Sequence, residues 1–195
     1  MNPSGYNYGC IFAHGCLIVY EIADKLVDLL VVNNYKDGNI SDDPQDSVTK
    51  ALIAFLVIGL LLSIQRVFVY LLRMYHYRTD NNSLDESRIP TNLWFSFAKV
   101  WLEAFPQATI AAFHFGNCAP TGGATTVVNL FGVFSMSPFI MFACFTFHYY
   151  CTHEEGHYAI TTLVLAATFI LSIIGVIFAG ISMNAFSNRC WPYNG

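Results

Sequence analysis

Seven ionisable residues stand inside stretches that are otherwise apolar, and their spacing is regular. Glu21, Asp24, Lys25 and Asp28 recur at steps of three and four. At ~100° per residue such steps fall on one helical face, with Leu26, Val27, Leu30 and Val31 away from it. Lys99, Glu103 and Gln107 form a second stripe at four-residue steps, with His114 near it, and Arg66 adds a cation elsewhere. An ionised side chain at mid-bilayer costs ~2.5–3.5 kcal/mol on insertion scales. Groups of this kind must pair, reach the headgroup level, or line a hydrated path for a polar passenger such as an ion or a lipid headgroup. Small residues suffice for packing apolar helices, so stabilisation alone does not call for so many charges.

A second constellation is His153-Glu154-Glu155-Gly156-His157, which matches H-E-x-x-H. On a helix this spacing sets two imidazoles on one face, with Glu154 as base for a zinc-bound water. Catalytic zinc needs a third protein ligand, and no His, Asp or Glu follows His157. That ligand would have to come from upstream, from His148 or an acid on another helix. Gly156 also weakens a helix. The preferred reading is a solvated polar turn with at most a weak metal site at His153 and His157.

The elements that carry these residues are dictated by composition. Of 195 residues 55% are hydrophobic and 11% charged, with a mean hydropathy of +0.47. A soluble domain carries about 25% charged residues to keep its surface hydrated. The formal charge of −4 shows no basic surface for nucleic acid. Each crossing needs ~20 apolar residues, so a single all-α polytopic membrane domain of four to five spans fits, and a separate soluble domain does not. Residues 158–186 and 104–153 contain no Asp, Glu, Lys or Arg, and a turn-rich break at 116–123 divides the latter. Five hydrophobic helices are predicted, at about 9–32, 51–72, 91–115, 124–150 and 158–186, with kinks at Pro106 and Pro138.

Loop charge gives an orientation. Arg73, Arg78, Arg88 and His76 flank the second connection, which is therefore cytoplasmic, while the first carries Asp37, Asp42, Asp43 and Asp46. The N-terminus is then inside and the C-terminus outside, in a plasma membrane rather than an internal one. The sequon at Asn39 faces outward and is a glycosylation candidate, whereas the one at Asn81 faces inward. Cys118 and Cys190 share the oxidising side and are a disulfide candidate; Cys10, Cys16, Cys144 and Cys151 sit in the membrane or near the reducing side. No Cys-x-x-Cys and no cleavable signal sequence are read. His14, His114 and His148 read as histidines bonded within the bundle, and Trp94, Trp101 and Trp191 as interfacial anchors.

The segment Tyr20-Glu21-Ile22-Ala23-Asp24-Lys25-Leu26-Val27-Asp28, leading to Asn34-Tyr35-Lys36-Asp37-Gly38, resembles the first helix of XK-related membrane proteins. Leu102-Glu103-Ala104-Phe105-Pro106-Gln107 resembles their Leu-Glu-x-x-Pro-Gln segment, again after a basic inner loop. The resemblance covers about residues 11–116 and nothing after Cys118. It implies a phospholipid scrambling or transport function, with buried charges guiding headgroups, and carries over to Asp24, Asp28, Glu103 and Gln107. The expected function is thus lipid handling through a charged intramembrane groove, without covalent chemistry or cofactor. The alternative is a non-transporting accessory or structural subunit of a larger membrane complex; an intramembrane zinc protease is a distant third. Expected partners are membrane lipids and a membrane protein or second copy of the chain, and no nucleic acid.

Overall fold

The computed structural model describes residues 3–41, 44–78, 88–115, 122–152 and 159–189. Every regular element among them is helical: α1 (Pro3–Lys36), α2 (Asp46–Arg78), α3 (Arg88–Lys99), a π-helical turn (Val100–Ala104), α4 (Phe105–His114), α5 (Gly122–Thr152) and α6 (Ala159–Arg189). A helix satisfies its backbone internally, which is the requirement a lipid solvent imposes. The helices run past the expected limits at most ends; α1 begins at Pro3 rather than near residue 9, and α2 ends at Arg78 rather than near 72.

Among the described residues, three helical stretches are long and apolar enough to cross a membrane: Asp46–Arg78, Gly123–Cys144 and Thr162–Met183. The other two segments, α1 and the α3–α4 pair with its π turn, hold most of the buried charges, and Arg66 and Arg73 of α2 add two more. α2 shows how the bundle is sorted. Its buried stripe runs Gly59, Ser63, Arg66, Tyr70, Arg73 and Tyr77, at steps of four and three. The outward face carries Val57, Leu60, Leu61, Ile64, Phe68, Leu71 and Leu72. Polar residues inside and aliphatic ones outside invert the soluble pattern, as expected where hydrocarbon is the solvent.

α1 packs against α2 and α5, α3 against α5, and α4 and α5 against α6. Glycine sets one of these approaches: a side chain at Gly175 on α6 would occupy the ring of Phe139 on α5, so the ring lies directly on the α6 backbone. Val27 and Val31 belong to a buried apolar cluster with Tyr35, Ile40, Leu52, Phe115 and Phe131. Of the residues away from the charged face of α1, Leu26 and Leu30 are exposed, whereas Val27 and Val31 are buried because α1 is covered on more than one side.

Both prolines are accommodated locally. Pro106 has no N–H to give the carbonyl four residues back, and the turn before it widens, so that Phe105 N–H donates to Val100 O. Pro138 leaves the Phe134 carbonyl without its helical donor inside α5. The Ser137 hydroxyl donates to that carbonyl at 3.0 Å, and the Tyr20 hydroxyl of α1 reaches it at 3.4 Å.

Candidate functional site: a buried chain of alternating charges

All eight residues of the two charged stripes and Arg66 converge. Glu21, Asp24, Lys25 and Asp28 come from α1, Arg66 from α2, Lys99 from α3, Glu103 from the π turn and Gln107 from α4. Each is between 1% and 8% exposed. Arg66 Nη1 lies 2.7 Å from Glu21 Oε1, and Lys99 Nζ bridges Glu21 Oε2 at 3.0 Å and Asp24 Oδ2 at 2.7 Å. Lys25 Nζ continues the chain: it is 3.2 Å from Asp24 Oδ2, 2.5 Å from Asp28 Oδ2, and paired with Glu103 Oε1. The Gln107 amide closes it by donating to Asp28 Oδ2 at 3.4 Å. Signs alternate along the whole path, from Arg66 through Glu21, Lys99, Asp24 and Lys25 to Asp28 and Glu103.

Four residues complete the network that spacing alone does not single out. Ser63 Oγ donates to Glu21 Oε2 at 2.8 Å, and the Tyr70 hydroxyl accepts from Arg66 Nη2 at 2.8 Å. The Tyr20 ring lies 5.7 Å from Lys99 Nζ, a cation–π distance. Gly59 leaves room for the centre of the network, because a Cβ there would fall on the Glu103 carboxylate and 2.7 Å from Lys25 Nζ. For the three on α2 a signal was present, because Gly59, Ser63 and Tyr70 share one face with Arg66.

The stripes were expected to oppose each other across a groove. They do oppose, but they touch, and the charges seal the space between them. A groove exists beside the network instead. It lies between α1 and α2, has a volume of about 500 Å³, and is walled by Ile22, Leu26, Leu29, Leu56, Leu60 and Ile64. Glu21, Lys25 and Ser63 contribute to its lining.

Asp24, Asp28 and Glu103 bring carboxylate oxygens within 4.8 Å of one another, a spacing that suits a cation. The Lys25 ammonium already contacts all three, so the cradle is filled from within the chain. His114 ends α4, two turns beyond Gln107, and takes no part in these ion pairs. His14 Nδ1 lies 2.7 Å from Cys10 O, and its ring packs against Tyr70 and Tyr77. Trp94 and Trp101 are half exposed, and Trp101 Nε1 donates to Thr168 Oγ1 at 3.0 Å. Asn39 is partly buried in the α1–α2 connection. Residues 153–158, with His153, Glu154 and His157, lie outside the described residues, as do Cys118, Cys190 and Trp191; the side chain of His148 does too.

Compared with known proteins, the chain matches no family model, no curated protein and no solved structure.

Proposed function

We propose that the chain is a plasma-membrane protein of five helical crossings that handles phospholipids beside its charged network, with the N-terminus cytoplasmic and the C-terminus outside. The observation that carries this reading is the groove between α1 and α2. Its aliphatic walls suit acyl chains, which would lie along Leu26, Leu29, Leu56 and Leu60, with Glu21, Lys25 and Ser63 of the charged network buried directly behind them. Glu21 and Lys25 are buried, so a headgroup meets them only when the network opens toward the groove. Moving a polar group into hydrocarbon without partners costs ~2–7 kcal/mol, and the network behind the groove holds the charges that could replace part of the lost water once it opens. The XK-like segments at residues 20–38 and 102–107 support the same reading.

The test is lipid exchange in vesicles reconstituted with the purified chain. Wild type should exchange labelled phospholipid faster than empty vesicles, and Asp24→Ala, Asp28→Ala or Glu103→Ala should slow it. Wild-type vesicles no faster than empty ones would remove the transport reading. A second reading rests on a specific observation: the charges are satisfied by one another and almost fully buried. That suits a keystone in an accessory subunit, whose variants would lose yield rather than flux and whose native form would co-purify with a larger membrane partner.

A further inference from the structure

The described network does not balance. Glu21, Asp24, Asp28 and Glu103 face Lys25, Lys99 and Arg66, four carboxyl groups against three cations. Arg73 lies two turns further along α2 and has interactions of its own. No ionisable partner from α5 or α6 joins the network among the described residues. Fully ionised, the cluster would hold one uncompensated negative charge inside a bundle that excludes water, an arrangement that buried groups escape by taking up a proton.

The shortage falls unevenly. Glu21 is held by Arg66, Lys99 and Ser63, and Asp24 by Lys99 and Lys25. Asp28 is held by Lys25 and Gln107. Glu103 has Lys25 alone, on Oε1, and its other oxygen, Oε2, is buried with no hydrogen-bond partner at all. Lys25 must also serve Asp24 and Asp28. Glu103 is only 2% exposed, so water does not make up the difference.

We propose that Glu103 is a built-in proton site: one proton bound at Oε2 is part of the resting fold. Adding it converts Oε2 from an orphaned acceptor to a donor and brings the network from one negative charge to zero. Oε1 still accepts from Lys25. Oxygens of Asp24 and Asp28 lie within 4.8 Å of a Glu103 oxygen, so an acceptor for the new O–H is a side-chain rotation away. The inference depends on charge and geometry and holds whichever functional reading is correct.

Infrared spectroscopy of the full chain in mild detergent tests it. At about pH 8 exposed carboxyls, with ordinary values of ~4, are ionised and do not absorb as acids. Wild type should then show the carbonyl band of one carboxylic acid per chain. Glu103→Gln, the isostere of the protonated side chain, should fold, keep the wild-type melting temperature and lose the band. Asp46→Asn, at an exposed position, should keep it. Three results would overturn the proposal: no acid band in wild type, a band that survives Glu103→Gln, or failure of that isostere to fold. An ordinary ionised Glu103 would show the first and third.

Discussion

Lys25 is the hub of the network, and its removal gives the most demanding test of the pairing. In Lys25→Met the stem volume is nearly kept, so the change is in charge rather than cavity. Asp24 retains Lys99 at 2.7 Å. Asp28 is left with the Gln107 amide at 3.4 Å, and Glu103 is left with no donor. Removing one partner of a buried pair costs ~3–5 kcal/mol, mainly because the other charge stays buried. Lys25 is 8% exposed, so solvent does little to soften this. At ~1.4 kcal/mol per tenfold, the unfolding constant should rise roughly 10²- to 10⁴-fold.

The assay is reversible unfolding of the full chain in mild detergent, with two companion variants. Lys25→Met/Asp28→Asn returns the network to its original net charge and should recover more than half of the loss. Lys50→Met removes an ion pair with Asp46 whose two side chains are 74% and 81% exposed, and should leave unfolding unchanged. The reasoning fails if Lys25→Met is as harmless as Lys50→Met. It fails equally if the double variant is no more stable than the single one.

The glycines give a contrast that separates rigid from yielding neighbours. Gly175→Ala should cost ~1–3 kcal/mol because the Phe139 ring, buried against it, cannot give way, whereas Gly132→Ala meets only the flexible Met183 thioether and should be tolerated. Glycan mapping should find Asn39 modified and Asn81 bare; a glycan on Asn81 would reverse the orientation. Metal analysis of the purified chain should find far less than one zinc per chain. Stoichiometric zinc lost in His153→Ala and His157→Ala would install the protease reading.

The gathering of charges was legible because helical periodicity is a local property. Steps of three and four fix a face, and a charged face in an apolar helix has few places to go, so convergence of Glu21, Asp24, Lys25 and Asp28 with Lys99 and Glu103 followed. Pair identity was not legible. Whether Lys99 meets Glu21 and Asp24 or Asp28 depends on the relative height of helices joined by loops, and on the π turn that Pro106 imposes between Lys99 and Gln107. Which of the residues off the charged face are buried was not legible either, for a related reason. A charged stripe reads as the only buried face, yet α1 is covered by both α2 and α5. The open groove was also expected in the wrong place, because spacing gives facing stripes but not the distance between them.

The charged layer and the proline gap in α5 are joined through one residue, and this ties local sequence to the design of the whole bundle. Tyr20 precedes Glu21, so its ring lies beside Lys99 while its hydroxyl reaches across to the Phe134 carbonyl and the Ser137 hydroxyl. The same side chain therefore shields a buried cation and helps satisfy the backbone group that Pro138 leaves without a donor. In water either defect could be met by solvent; in hydrocarbon each needs a protein group. The polar residues of this bundle consequently form connected sets rather than isolated points, from Tyr70 through Arg66, Glu21 and Lys99 to Gln107. Such a set fixes the register of α1, α2 and the α3–α4 segment against one another, since a slip of one turn would strand a charge. The aliphatic groove beside it needs no such register, since apolar contacts are not directional.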